Sequence, residues 1–412
     1  MKSYDVIIVG GGVSGMMLAK LLDSTNLDVL LIEKRRKIEI KPNSFGTFSD
    51  VARQFCLQNY VRKYFSTWAF YGKQVVTRKS SHNFGCVVDF NAWVRSQKLK
   101  KVQFKTNTTI MSIKRIGGSV CITDNRHNKY LGNIIVDATG FAQVVRKKLK
   151  LPFTHQTGLS YEIEVRDCKV IDPSEACYIL NFDISNSGGW LYGLSKRNAQ
   201  YGWADFYPES HSTLKNLKRR VHTSISRLQR IAVQLDKAPI VYRFGRFGPT
   251  GDVKDRVDDN ILSIGDAGSC GTPVTLQGFK QSLESASFAS KTILLATKTH
   301  DYSKSTLGLY SELFDRVYRT DYRIQKIVKF VYLHWMRQEE VDAWISNFGD
   351  LSKEDFFQLL KGPFTFKLIR KTLDVSLVTN IVLNAMNQML PRVLRFRRTI
   401  TPSKQEVIDE TN

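Results

Sequence analysis

The chain has 412 residues, 42% hydrophobic and 24% charged, a globular composition that excludes a fibrous or largely disordered protein. Six scattered cysteines without a CxxC pair and seven histidines without ligand spacing give no signal for a disulfide framework or a metal centre. The formal net charge of +23 is gathered in short clusters at 34–37, 98–101, 146–148 and 218–220. Such clusters fit a solvated basic surface, an anionic membrane or an anionic substrate; no nucleic-acid recognition motif accompanies them.

The first elements carry the strongest signal. Val6-Ile7-Ile8-Val9 reads as a buried strand, Gly10-Gly11-Gly12-Val13-Ser14-Gly15 as a GxGxxG turn, and Met16 to Leu22 as the helix it opens. A second apolar strand, Val29-Leu30-Leu31-Ile32, ends at Glu33 and Lys34. Glycines at this spacing let a pyrophosphate approach a helix N-terminus, and an acid after the second strand accepts hydrogen bonds from ribose hydroxyls. The unit therefore predicts dinucleotide binding through Gly10, Gly12, Val13, Ser14, Gly15, Glu33 and Lys34, and leaves open whether the dinucleotide is a nicotinamide or a flavin.

Beyond it the spacing predicts a loop at 41–46, a helix over 49–64, short strands within 68–88, a helix over 90–98, and strands over 102–122 that turn at Gly117-Gly118. The strand at 133–137 runs into Asp137-Ala138-Thr139-Gly140, whose small residues can bring backbone amides up to a cofactor. From 151 to 246 the pattern alternates, as in an inserted antiparallel sheet. Within it lies Tyr201-Gly202-Trp203-Ala204-Asp205-Phe206-Tyr207-Pro208, where period-two spacing puts Tyr201 and Trp203 on one face, either core or ligand wall. A further strand delivers Gly265-Asp266-Ala267-Gly268, followed by Pro273, Gly278 and a helix from 279 to about 295. The remainder reads as helical, most clearly over 302–330 and 367–390. Leu373, Leu377, Ile381, Ala385 and Met389 form an apolar stripe, either packed on its own domain or lying in a membrane plane, and the segment is too polar to span a bilayer.

Three glycine-bearing strand ends, near Gly10, Asp137 and Gly265, are far apart in sequence, yet one flavin dinucleotide is long enough to touch them all. Together they resemble the flavoprotein superfamily typified by para-hydroxybenzoate hydroxylase, over roughly residues 1–300. Within it the chain is similar to the geranylgeranyl reductases, with lycopene cyclases as nearby relatives. The likeness rests on Lys41-Pro42 leading to Gly46, on the aromatic run from Tyr201 to Pro208, and on Pro273-Val274-Thr275. Three details depart from the reductase pattern: Ser44-Phe45-Gly46 replaces a Cys-Gly pair, an extra residue separates Phe206 from Pro208, and Leu276-Gln277 stand where glycine is usual. A leucine there narrows the space beside the flavin ring.

The resemblance implies a mixed α/β protein, a Rossmann-type FAD-binding domain (1–150 and 247–300) interrupted by an antiparallel substrate sheet (151–246), with a helical region at 301–412 and part of 65–90 assigned to the substrate sheet. It implies FAD as cofactor, with Gly46, Asp137, Gly140, Gly265, Asp266, Pro273 and Gly278 joining the N-terminal contacts, and Tyr201, Trp203, Phe206 and Pro208 binding a hydrophobic isoprenoid or prenyl-lipid substrate. The implied reaction is reduction of C=C bonds by reduced flavin, with an external electron donor, NAD(P)H or a reduced carrier. Tyr201 is the candidate acid and a bound water the alternative. The competing activities are monooxygenation with NAD(P)H and oxygen and a redox-neutral cyclisation of the lycopene cyclase type. The first strand begins almost at once, without a leader pattern, so the expected location is cytoplasmic, with peripheral contact on the inner face of the membrane.

Overall fold

A computed structural model describes residues 1–40, 45–153, 158–206, 213–248 and 255–400, apart from the side chains of 246, 247 and 389–400. Apolar runs without alternation need cover on both faces, and they form the centre of the first sheet. Lys2–Val9 pairs in parallel with Val29–Ile32 on one side and Lys129–Asp137 on the other. Gln103–Lys105 extends the sheet beyond Val29–Ile32, and Ile261–Ser263 extends it beyond Lys129–Asp137. Register aligns the strand ends: Val9 lies opposite Asp137, and Asp137 opposite Ser263, so Gly10, Ala138 and Ile264 leave the sheet at one edge. Three distant sequence segments meet there because the ladder is in step.

Helices Val13–Leu22 and Phe279–Thr299 pack together over one face of this sheet, adding Met16, Leu18, Leu283 and Ala286 to the main core. The other face is closed by the hairpin Ile110–Ile116 and Ser119–Asp124, with Ile110, Ile113 and Val120 buried against Ile7 and Ile135. Its turn uses Gly117 and Gly118 at φ +54° and +78°, the left-handed pair a tight hairpin requires.

The second sheet has seven strands, in the order Ile240–Gly248, Gly158–Val165, Ala199–Phe206, Gly188–Gly193, Glu175–Ile179, Thr67–Tyr71 and Val75–Lys79. It is antiparallel except where Thr67–Tyr71 runs parallel to Glu175–Ile179. Helix Leu214–Arg227 covers one face through Leu217 and Val221, closing a separate core. A small sheet of Phe45–Phe48, Gly85–Val88 and Val61–Phe65 bridges the layers. The helix expected over 49–64 stops at Gln54: Cys56 takes φ +54°, and Val61–Phe65 joins the ladder with Gly85–Val88.

The C-terminal helices, Lys304–Trp335, Gln338–Asn347, Lys353–Lys361, Phe366–Lys371 and Val375–Ile400, enlarge the main core. The single helix expected over 367–390 is divided. Thr372 Oγ1 accepts from Trp344 Nε1 at 2.9 Å, and Asp374 Oδ1 accepts from the Leu377 amide at 2.7 Å, capping a new helix. Leu377, Ile381 and Ala385 of the apolar stripe are buried, the first two in the main core, so this part of the stripe packs on the protein itself, while the Met389 side chain lies outside those described. Among the described residues no helix is long and apolar enough to cross a membrane.

Candidate functional site

At the edge where the three strands end lies a cavity of about 480 Å³, reached by Gly12, Glu33, Gly140, Asp266 and Gly278. The glycines of the first turn have separate duties. A Cβ on Gly15 would sit 2.0 Å from the Gly10 carbonyl oxygen, and one on Gly10, at φ +108°, would sit 2.4 Å from the Ala138 oxygen. Both let the helix and the neighbouring strand close on the turn. Gly12 instead faces open space, its nearest neighbour being Ala138 O at 3.9 Å. It is the N-cap of Val13–Leu22 and offers no capping side chain, so the first-turn amides, beside Val13 and Ser14, are left to the cavity.

Glu33 is 4% exposed and lines the same cavity. The Gly11 amide donates to its Oε2 at 2.8 Å, and the Arg35 amide and Nε donate to its Oε1 at 2.9 and 3.0 Å. These bonds fix a carboxylate at the end of the second strand, beside Lys34, which also lines the cavity. Arg35 is not legible as a site residue in the sequence, because it stands in a basic run that resembles solvated surface.

Asp137 is placed differently from expectation. It is fully buried, and its oxygens accept from the Thr139 amide and hydroxyl and from the Val145 and Arg146 amides at 2.6–3.2 Å. Burial pushes its carboxyl above the usual range, against the lowering effect of those donors. Asp137 therefore shapes the turn that presents Gly140, which is at φ +63° with open space around it and lines the cavity. Gly265, at φ +58°, serves packing too: a Cβ there would meet Ser14 Oγ at 2.6 Å. Neither Gly265 nor Pro273 lines this cavity, the second that adjoins it or the third beyond.

Asp266 and Gly278 also border a second cavity, of about 170 Å³, on the face of the seven-stranded sheet away from Leu214–Arg227. Gly46 faces it, and a Cβ there would lie 3.1 Å from Tyr192 Oη. Leu276 lines it at φ +52°, with its methyl carbons against Gly158. Tyr178, Trp190, Ala204 and Thr275 are shared with a third cavity of about 100 Å³, whose wall includes Phe70, Phe206, Phe348 and Leu360. The largest of these three cavities thus leads, by way of the second, to an apolar chamber.

The aromatic run divides between two faces. Gln200 and Ala204 line the second cavity and Phe206 the third, whereas Tyr201 and Trp203 point into the separate core under Leu214–Arg227. Tyr201 Oη lies 2.6 Å from Ser224 Oγ and accepts from Trp203 Nε1 at 2.6 Å, and burial pushes the phenol well up. This corrects the expectation that Tyr201 and Trp203 form the substrate wall and that Tyr201 is the acid. Pro208, Lys41, Pro42 and Ser44 lie outside the described residues. The second cavity is lined instead by Tyr178, Trp190, Tyr192 and Glu162 among others, residues that sequence reasoning missed although they recur at alternate positions on neighbouring strands.

The residues fit an extended dinucleotide: Gly12 and Gly140 leave room where a Cβ would intrude, and the cavity runs from Glu33 to Gly278. No group of His, Cys, Asp and Glu that could hold a metal is found among the described residues.

Residues 5–178 match the lycopene cyclase protein family. The chain is 25% identical over 406 residues to digeranylgeranylglycerophospholipid reductase 2 of Methanosphaera stadtmanae, covering 91% of this chain and 97% of that one. It is 25% identical over 336 residues to digeranylgeranylglycerophospholipid reductase of Sulfolobus acidocaldarius, covering 74% and 72%. In fold it resembles the crystal structure of a geranylgeranyl bacteriochlorophyll reductase-like protein from Thermoplasma acidophilum, with a TM-score of 0.78 at 17% identity, over 90% of this chain and all of that one. The chain is thus similar, over nearly its whole length, to FAD-dependent oxidoreductases of the geranylgeranyl reductase and lycopene cyclase-like branch.

Proposed function

We propose that the protein is an FAD-dependent reductase that saturates C=C bonds of a prenyl lipid. The observation that carries this reading is the passage from the dinucleotide-shaped cavity into the aromatic-walled chamber, through the shared residues Asp266, Gly278, Tyr178 and Trp190. When bound and reduced, FAD supplies hydride, the step that side chains cannot perform.

Each region of the protein has a defined task. The first-turn amides at Gly12 and Val13 would hold the pyrophosphate and Glu33 the ribose, with Arg35 keeping Glu33 in place. Backbone from Leu276 to Gly278, which lines the second cavity, would border the flavin ring, and Leu276 would limit the width there. The chamber wall removes the isoprenoid chain from water; each buried methylene contributes about 0.8 kcal/mol. Positive charge developing on an alkene carbon is favoured by the ring faces of Tyr178 and Trp190. The ring of Phe206 already carries a cation, Lys329 Nζ at 4.4 Å from its centroid, so it serves as apolar wall.

Access to lipid is proposed through the C-terminal helices. Val375, Val378, Val382 and Met386 are exposed at three- and four-residue steps along Val375–Ile400, about a quarter-turn round the helix from the buried stripe. With Lys367, Arg370 and Lys371 close by in the chain, this outer stripe suits an anionic bilayer surface. The electron donor is an external reductant, NAD(P)H or a reduced carrier.

The reductase reading is tested by reducing the FAD-loaded protein with dithionite under anaerobic conditions, adding a geranylgeranyl lipid and weighing the product. Saturation adds two hydrogens per double bond. An unchanged mass with a new ring would establish the cyclase chemistry instead, and oxygen uptake on adding substrate with NAD(P)H would establish the monooxygenase.

A further inference from the structure

Reduction of an isolated alkene consumes a proton as well as a hydride, and the source of that proton is a question that rests on the reductase reading above. Glu162 sits mid-strand in Gly158–Val165, opposite Gly202, and is 8% exposed. Gly202 makes the space it occupies: a Cβ there would meet Glu162 Cβ at 2.8 Å and Trp190 Cζ2 at 2.5 Å. Glu162 and Trp190 therefore lie side by side over a glycine, both on the wall of the second cavity.

The carboxyl is held on a polar scaffold. Gln200 Nε2 donates to Glu162 Oε2 at 3.0 Å. Nearby, Tyr178 and Tyr192 line the same cavity, and Gln277 Nε2 donates to Tyr178 Oη at 2.6 Å, linking it to the loop that borders the proposed ring site. Burial pushes Tyr178 up to about 12 and Tyr192 well above the ordinary phenol value, so both hydroxyls are poor acids. Asp266, the other carboxyl of this cavity, also borders the nucleotide cavity at the Gly278 turn. A carboxyl is intrinsically a far stronger acid than a phenol, and Glu162 is the one on the substrate sheet.

We infer that Glu162 is the acid that protonates the alkene, with Gln200 fixing its carboxyl and the Tyr178–Tyr192 pair completing the polar edge of the chamber. The balance is simple. The π bond is replaced by two C–H bonds, one from the Glu162 proton and one from the hydride of reduced flavin, which gives up the electron pair. The Glu162 carboxylate then regains a proton from water.

The test uses FAD-loaded protein reduced with dithionite and mixed anaerobically with a geranylgeranyl lipid, following flavin reoxidation by stopped flow and product mass. Lipid binding is measured separately, as the change that the lipid causes in the oxidised flavin spectrum. Glu162→Gln should slow reoxidation on the order of 100-fold or more while leaving the spectral change intact, and Glu162→Asp should recover part of the rate. A Glu162→Gln rate within threefold of wild type overturns the assignment, as does a parallel loss of rate and spectral change, which marks a merely structural role. Wild-type protein that leaves the lipid unsaturated overturns the reductase reading, and the assignment with it.

Discussion

The proposed nucleotide end and the proposed substrate end of the site are built on opposite principles. At the first, backbone predominates: Gly12, Gly140 and the opening amides of Val13–Leu22 face the cavity, and the principal side chain, Glu33, is held by an adjacent amide and Arg35. At the second, side chains from Gly158–Val165, Glu175–Ile179, Gly188–Gly193 and Ala199–Phe206 converge only because the strands pair in a particular register. A local motif therefore announces the first end, whereas the second exists only once the sheet has formed.

Substitutions can break this comparison. The largest effect belongs to Gly15→Val, which forces a side chain against the Gly10 carbonyl oxygen, main chain that cannot swing aside. It should cost the apoprotein about 3 kcal/mol or more by thermal or denaturant unfolding. Gly12→Val, in open space, should leave apoprotein stability within about 0.5 kcal/mol of wild type. Its FAD affinity should fall on the order of 100-fold, or about 2.7 kcal/mol, in a fluorescence titration. If the two variants behaved alike, the division between packing and binding glycines would be wrong.

Trp190→Ala sharpens the other side, since it removes a ring shared by the second and third cavities. Prenyl-lipid affinity should drop roughly 10-fold with FAD affinity unchanged, and a loss of FAD binding instead would merge the two ends into one. The smallest effect is expected from Tyr201→Phe. It deletes contacts to Ser224 and Trp203, a cost of about 1 kcal/mol, and should leave turnover at the wild-type level. A large loss of turnover would return Tyr201 to the reaction.

The first cavity was legible in the sequence because strand, glycine turn, helix and acid are contiguous, so Gly12, Glu33 and Lys34, which the structure places on its wall, could be named at once. Asp137 was found for the wrong reason: a buried carboxylate receiving the Val145 and Arg146 amides looks, in one dimension, like a ligand contact. Tyr201 and Trp203 show how period-two logic stops short, since it says which residues share a face but not which face meets a helix. Leu214–Arg227 covers theirs and leaves Gln200, Ala204 and Phe206 to the cavities. The division at Thr372 was hidden because its bond to Trp344 spans 28 positions.

The central claim, that a cofactor in the first cavity reacts with a lipid in the apolar chamber, is tested most directly by single-turnover stoichiometry. Reduced, FAD-loaded protein is mixed without oxygen with limiting geranylgeranyl lipid, and oxidised flavin is counted against hydrogens gained. The account predicts one flavin oxidised for every double bond saturated. Flavin that stays reduced while the lipid keeps its mass, or a protein that takes up no FAD, would contradict it.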